Sequence, residues 1–99
     1  MKKITLFCCA GMSTSMLVNK MQKVAATEGK DYEIAAFSLN ELDSYGSDAD
    51  VILLGPQVRY ALSKVKEKYP NTPVEPIDMK TYGMMDGKGA LAIAEELMK

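Results

Sequence analysis

Ninety-nine residues, 47% apolar and 25% charged, describe one globular domain over residues 1–99 with a modest core. The formal net charge is −1, and lysines cluster only at Lys2-Lys3 and at Lys64, Lys66 and Lys68, which argues against a nucleic-acid-binding surface. No segment approaches the roughly 18 apolar residues of a membrane span, and the apolar run after Lys3 breaks at Ala10-Gly11, short of the ~7–15 residues of a secretory signal, so a cytoplasmic protein is expected.

Residues 3–8 read as a short buried strand, with Ile4, Leu6 and Phe7 apolar. Residues 11–13 form a loop, and a helix begins near Ser13 or Thr14. Leu17, Met21, Val24 and Ala25 follow at helical spacing and make one apolar stripe. Met16 and Met21 are expected to pack. Gly29 is the stop signal for this helix.

Residues 32–37 form a second strand. Ser38 and Glu41 make an S-x-x-E capping box, which predicts a short helix over 39–43 and a loop over 44–50. The continuous apolar run 51–54 has the pattern of a strand buried on both faces. Gly55-Pro56 ends it, and Val58, Ala61, Leu62 and Val65 predict an amphipathic helix from Pro56 to near Tyr69. Residues 73–77 read as a fourth strand whose two prolines place it at an edge. Residues 78–87 read as a long loop with Asp86 as a helix N-cap. A last helix shows Ala90, Ile93, Ala94 and Leu97 on one face.

Strands alternating with helices predict an α/β domain: a four-stranded, mostly parallel sheet with helices on both faces, and right-handed crossovers. In such a sheet a ligand binds beyond the carboxyl ends of the strands, at a topological switch point. The loops that meet there are residues 8–14, 38–40, 55–59 and 78–86.

The first of these loops carries the chemistry. Cys8 closes the first strand, and Cys9, Ala10, Gly11, Ser13, Thr14 and Ser15 follow, nearly all small. Small side chains let backbone N–H groups converge, and the next helix turns its N-terminal amides toward the same point, which makes an anion nest. Such a field favours a thiolate over a thiol, and a thiolate facing a phosphate cradle can take a phosphoryl group onto sulfur. The competing reading is a pair of small buried hydrophobes at a strand end, and residue types alone leave both open. Strand alternation puts Cys8 and Cys9 on opposite faces, so at most one enters the nest. A disulfide between neighbours would be strained, and with no histidine in the chain no cysteine–histidine pair exists.

Cysteine-dependent phosphatases use C-x5-R, whose arginine clamps the phosphoryl group bidentately. Counting from Cys8, that place holds Thr14, and Arg59 is the chain's only arginine. A phosphocysteine formed without that clamp should persist until a partner takes it.

The blocks "LFCCAGMSTSMLVNKM", "ADVILLGPQVRY", "PVEPID" and "YGMMDGKGAL" resemble, in order and over nearly the whole chain, the IIB component of the bacterial phosphotransferase system, lactose/cellobiose/chitobiose type. Residues 8–15 match that family's C-x-A-G-M-S-T-S pattern throughout. The resemblance implies a parallel four-stranded sheet similar to low-molecular-weight tyrosine phosphatases. It also implies a cysteine that accepts a phosphoryl group from phosphohistidine on a IIA partner. The group then goes to a sugar, of the cellobiose, chitobiose or lactose class, bound in the membrane-embedded IIC permease. The phosphocysteine maps to Cys8 and the phosphate-binding loop to Cys9, Ala10, Gly11, Met12, Ser13, Thr14 and Ser15. No metal or other cofactor is called for, and the protein is expected to be a monomer that meets the permease peripherally. Met12, Gln57, Arg59, Tyr60 and Tyr82 sit in the converging loops and are expected to contact partners. A phosphatase-like hydrolase and a thiol redox domain are the alternative functions.

Overall fold

The computed structural model describes residues 2–8 and 12–98, the side chains of 12–14 excepted. Four strands, β1 (Lys2–Cys8), β2 (Tyr32–Ser38), β3 (Val51–Leu54) and β4 (Val74–Pro76), form one sheet in the order β2-β1-β3-β4, every pairing parallel. Among the described residues five α-helices accompany them: α1 (Met12–Thr27), α2 (Leu42–Tyr45), α3 (Leu62–Lys68), α4 (Met79–Gly83) and α5 (Gly87–Leu97).

Period-2 alternation of the central strands splits the apolar residues between two cores. Ile4, Leu6, Val51 and Leu53 face Leu17, Val18, Met21 and Ala25 of α1 and Ala90, Leu91 and Ala94 of α5. Phe7, Ile52 and Leu54 face the other way, onto Val58, Ala61 and Val65. Helices therefore cover both faces, as the sequence pattern predicts. Each large aliphatic side chain buried there contributes about 1.5–3 kcal/mol relative to exposure.

Several local expectations hold in detail. Asn40 N–H donates to Ser38 Oγ (3.3 Å) and Ser38 N–H donates to Glu41 Oε2 (3.1 Å), closing the capping box. Gly29 takes a φ of 69° just beyond α1, while Lys30 N–H returns to the Ala25 carbonyl at 2.8 Å. The proline-flanked β4 lies at the sheet edge.

Other expectations are corrected. The first helix starts at Met12, one or two residues ahead of the expected Ser13 or Thr14, so Met12 and Ser13 belong to its opening turn rather than to a loop. Met16 is 58% exposed, because the stripe of Leu17, Val18, Met21 and Ala25 turns it outward. After Ser38 the chain makes a 3₁₀ turn over Leu39–Glu41, then α2, then a second 3₁₀ turn over Gly46–Asp48 inside the expected loop. The helix expected from Pro56 is broken: Pro56–Ala61 is 3₁₀, with Val58 non-helical at φ −118°, and only Leu62–Lys68 is α-helical. The break lies at Val58, whose non-helical backbone interrupts the winding while its side chain and that of Ala61 stay buried. Residues 79–83 form α4 where a loop was expected. Its N-cap is Asp78, whose Oδ2 accepts Thr81 N–H at 2.9 Å and whose Oδ1 accepts the Thr81 hydroxyl at 2.7 Å.

Candidate active site

In a parallel sheet of order β2-β1-β3-β4 the chain leaves β1 toward one side and later returns to its other side as β3. The switch point is the β1/β3 boundary, at the carboxyl ends. Cys8 stands there. It is the last residue of β1, only 3% exposed, and alternation places it on the Ile4–Leu6 face, the one that α1 covers. Ser38 pairs with it on the β2 side. On the β3 side the register Phe7↔Leu54 runs on to Gly55, whose N–H donates to the Phe7 carbonyl at 2.8 Å.

Gly55 is the residue that sequence reading used only as a strand terminator. A Cβ at that position would lie 3.1 Å from Cys8 Cβ and 3.2 Å from Gln57 Oε1. A side chain there would meet both the thiol-bearing carbon and the Gln57 carboxamide, and its absence leaves that space open. Only register identifies this contact: a glycine one step beyond a strand that pairs with the cysteine strand.

The expected phosphate-binding residues divide into three groups. Cys9, Ala10 and Gly11 lie outside the described residues. Met12, Ser13, Thr14 and Ser15 form the first turn of α1. The expected contact through the Met12 side chain also lies outside what is described. Gln57, Arg59 and Tyr60 are exposed on the 3₁₀ turn after β3, with Tyr60 77% accessible. Tyr82, on α4, is 9% exposed and packs into the α1/α5 core. Its remaining surface lines a groove of about 360 Å³ shared with Pro56, Gln57, Met79 and Gly83. Met79, 72% exposed, is a rim residue that sequence reading missed.

Two carboxylates of this rim are engaged by their own helices. The Thr81 hydroxyl and amide hold Asp78 below the usual carboxylate range. Asp86 caps α5 as expected, its Oδ1 accepting Gly89 N–H at 3.0 Å. No cluster of three metal-ligating side chains occurs among the described residues.

Chemically, this arrangement offers a shielded sulfur between two strand ends, a helix N-terminus beside it, and neutral polar groups in place of a guanidinium. That suits holding an anion without clamping it.

Comparison with known proteins agrees over nearly the full length. Residues 3–92 match the family described as "PTS system, Lactose/Cellobiose specific IIB subunit". The galactose-specific EIIB component of Lactococcus lactis subsp. cremoris and the cellobiose-specific EIIB component of Lactococcus lactis subsp. lactis are each 51% identical, over 98% of this chain and 96% of theirs. The oligo-beta-mannoside-specific EIIB component of Bacillus subtilis is 43% identical over 99% of this chain and 97% of its own. Among solved structures, the cellobiose-specific IIB component from Borrelia burgdorferi superposes with a TM-score of 0.81 at 35% identity, covering 98% of this chain and 91% of that one. The lactose-specific IIB domain from Streptococcus pneumoniae shares the fold, with a TM-score of 0.84 at 19% identity, covering 99% and 98%. The chain belongs to the lactose/cellobiose-specific IIB subunit family of the sugar phosphotransferase system.

Proposed function

We propose that this single IIB domain, residues 1–99, carries a phosphoryl group on Cys8. A IIA phosphohistidine is the donor, and a β-linked sugar held by a membrane IIC permease is the acceptor. The observation that carries the reading is the position of Cys8, buried at the switch point of the sheet, between Ser38 and the side-chain-free Gly55 and just ahead of the first turn of α1.

In the first step the Cys8 thiolate attacks phosphorus in line. The S–P bond forms, the P–N bond breaks, and the electron pair returns to the donor imidazole. In the second step a sugar hydroxyl oxygen attacks phosphorus and regenerates the thiolate, and a base on the permease takes the hydroxyl proton. The amides of residues 9–15 and the α1 dipole stabilise the charge on the phosphoryl oxygens, so catalysis is mostly positioning and electrostatics. Arg59 and Tyr60, exposed next to the groove, meet the partner surfaces together with Met79. No helix among the described residues is long and apolar enough to cross a membrane, which fits a chain that docks on the permease from the cytoplasmic side. The cellobiose and oligo-β-mannoside specificities of two relatives support a β-linked sugar as acceptor.

The test is label transfer from radiophosphorylated IIA. Cys8→Ser abolishes label on this chain and Cys9→Ser retains it; label that depends on Cys9 overturns the assignment. A chromogenic phosphate monoester separates the hydrolase alternative, since sustained turnover contradicts a carrier.

A further inference from the structure

We infer that Gln57 is a direct ligand of the phosphoryl group in transit, admitted to the site by the absence of a side chain at Gly55. The inference rests on the reading of Cys8 as the phosphoryl carrier. Gln57 Oε1 and Cys8 Cβ both lie within 3.2 Å of the point where a Gly55 Cβ would stand. That point is fixed by backbone: Gly55 N–H is bonded to the Phe7 carbonyl at 2.8 Å, and Val58 N–H to the Gly55 carbonyl at 3.0 Å. The same i→i+3 turn sends Val58 into the core and leaves Gln57 on the outer side, at the mouth of the groove with Pro56 and Met79.

A glutamine carboxamide offers two N–H donors and one acceptor, and it carries no charge. Rotation about its last torsion presents those donors to an oxygen on a group bound at Cys8. A neutral donor here answers the energetic demand on a carrier. An arginine would hold the dianion by charge-assisted, bidentate bonds. An amide stabilises it less and releases it to the next acceptor. Gln57 touches the transferred group in this scheme while S–P and P–N bonds exchange, and it gains and loses no proton.

The experiment measures transfer from radiophosphorylated IIA to wild type, Gln57→Ala and the near-isosteric Gln57→Glu, with 31P spectra of the phosphorylated chains. Gln57→Ala is expected to keep its label on Cys8 while the maximal transfer rate falls about 10- to 100-fold at unchanged KM for IIA, and the phosphocysteine resonance shifts. Gln57→Glu, which sets a carboxylate against the phosphoryl oxygens, falls further. An unchanged rate in both variants, or a change confined to KM, overturns the inference and returns Gln57 to a partner-contact role. Wild type that carries no label on Cys8 overturns instead the reading beneath it.

Discussion

The two ends of the sheet are built by different means. At the amino end, charge and hydrogen bonds tie strand to strand and strand to helix. Lys3 Nζ pairs with Glu33 at 3.2 Å, and Lys3 N–H donates to Asp50 Oδ2 at 2.7 Å. Glu95 Oε2 accepts the Tyr32 hydroxyl at 2.8 Å and pairs with Lys30 at 3.3 Å, joining the start of β2 to the end of α5. At the carboxyl end, Cys8, Gly55, Gln57 and the first turn of α1 carry no charged side chain, Asp78 and Asp86 spend their charge on helix amides, and Arg59 stands exposed nearby. With Cys8 read as the proposed phosphoryl carrier, ion pairs at this end would compete with the dianion. The ion pairs of the amino end lie about one strand-length away from Cys8.

Breaking the carboxyl end gives the largest effect. Gly55→Val forces a branched side chain into the space between Cys8 and Gln57, and label transfer from IIA should be lost, at an unfolding cost of about 1–3 kcal/mol. Gly87→Ala separates packing from chemistry. Its Cβ would stand 2.6 Å from the Lys20 carbonyl carbon and 2.8 Å from Met21 N, backbone atoms that cannot step aside. Denaturant titration should show a loss of about 1–3 kcal/mol, while the folded fraction still accepts label.

Breaking the amino end should affect stability alone. Tyr32→Phe removes one hydrogen bond to a partly exposed carboxylate, with a loss near or below about 1 kcal/mol and no change in transfer rate.

The smallest effects are in pH dependence, and the two ends differ in sign. The hydrogen bond and charge of Glu95 raise Lys30 above its ordinary value of 10.5, and the hydrogen bond to Glu95, with burial, raises Tyr32 above 10.0. A raised folded-state value gives stability that is full below the unfolded value and lost as pH climbs through the folded one, so the amino-end network weakens in alkali. Asp78 is lowered from 3.8, and its contribution is present above that value and lost as pH falls below it. Stability curves of wild type and Tyr32→Phe should diverge below pH ~10 and converge above it. Wild type and Asp78→Asn should converge in acid.

Much of this was legible in the sequence, for identifiable reasons. The apolar run 51–54, the Ser38–Glu41 box, Gly29 and the prolines around β4 are local signals with local causes, and the structure realises them in place. Cys8 at the end of a strand follows from the same kind of signal. What escaped depends on length or on distance. Helix α4 is five residues long, too short to show a helical period, and it is held by one capping carboxylate. The 3₁₀ turn at Val58 accompanies its packing against Phe7, Ile52 and Leu54, contacts distant in sequence that no local propensity announces. The approach of Gly55 to Cys8 spans 47 positions of chain and exists only through register. Met16 was readable and was misassigned: it lies off the stripe set by Leu17 and Met21.

The sheet has two edges, β2 and β4, and the backbone of β4 offers little to an added strand. Ile52 N–H donates to the Pro73 carbonyl and Ile77 N–H to the Leu54 carbonyl, so odd-numbered residues of this stretch turn their backbone toward β3 and Val74 and Pro76 turn outward. Proline has no N–H to offer. The open edge is thus left with the single outward amide of Val74, too little to template another strand. One imino acid thus blunts the β4 edge against strand addition.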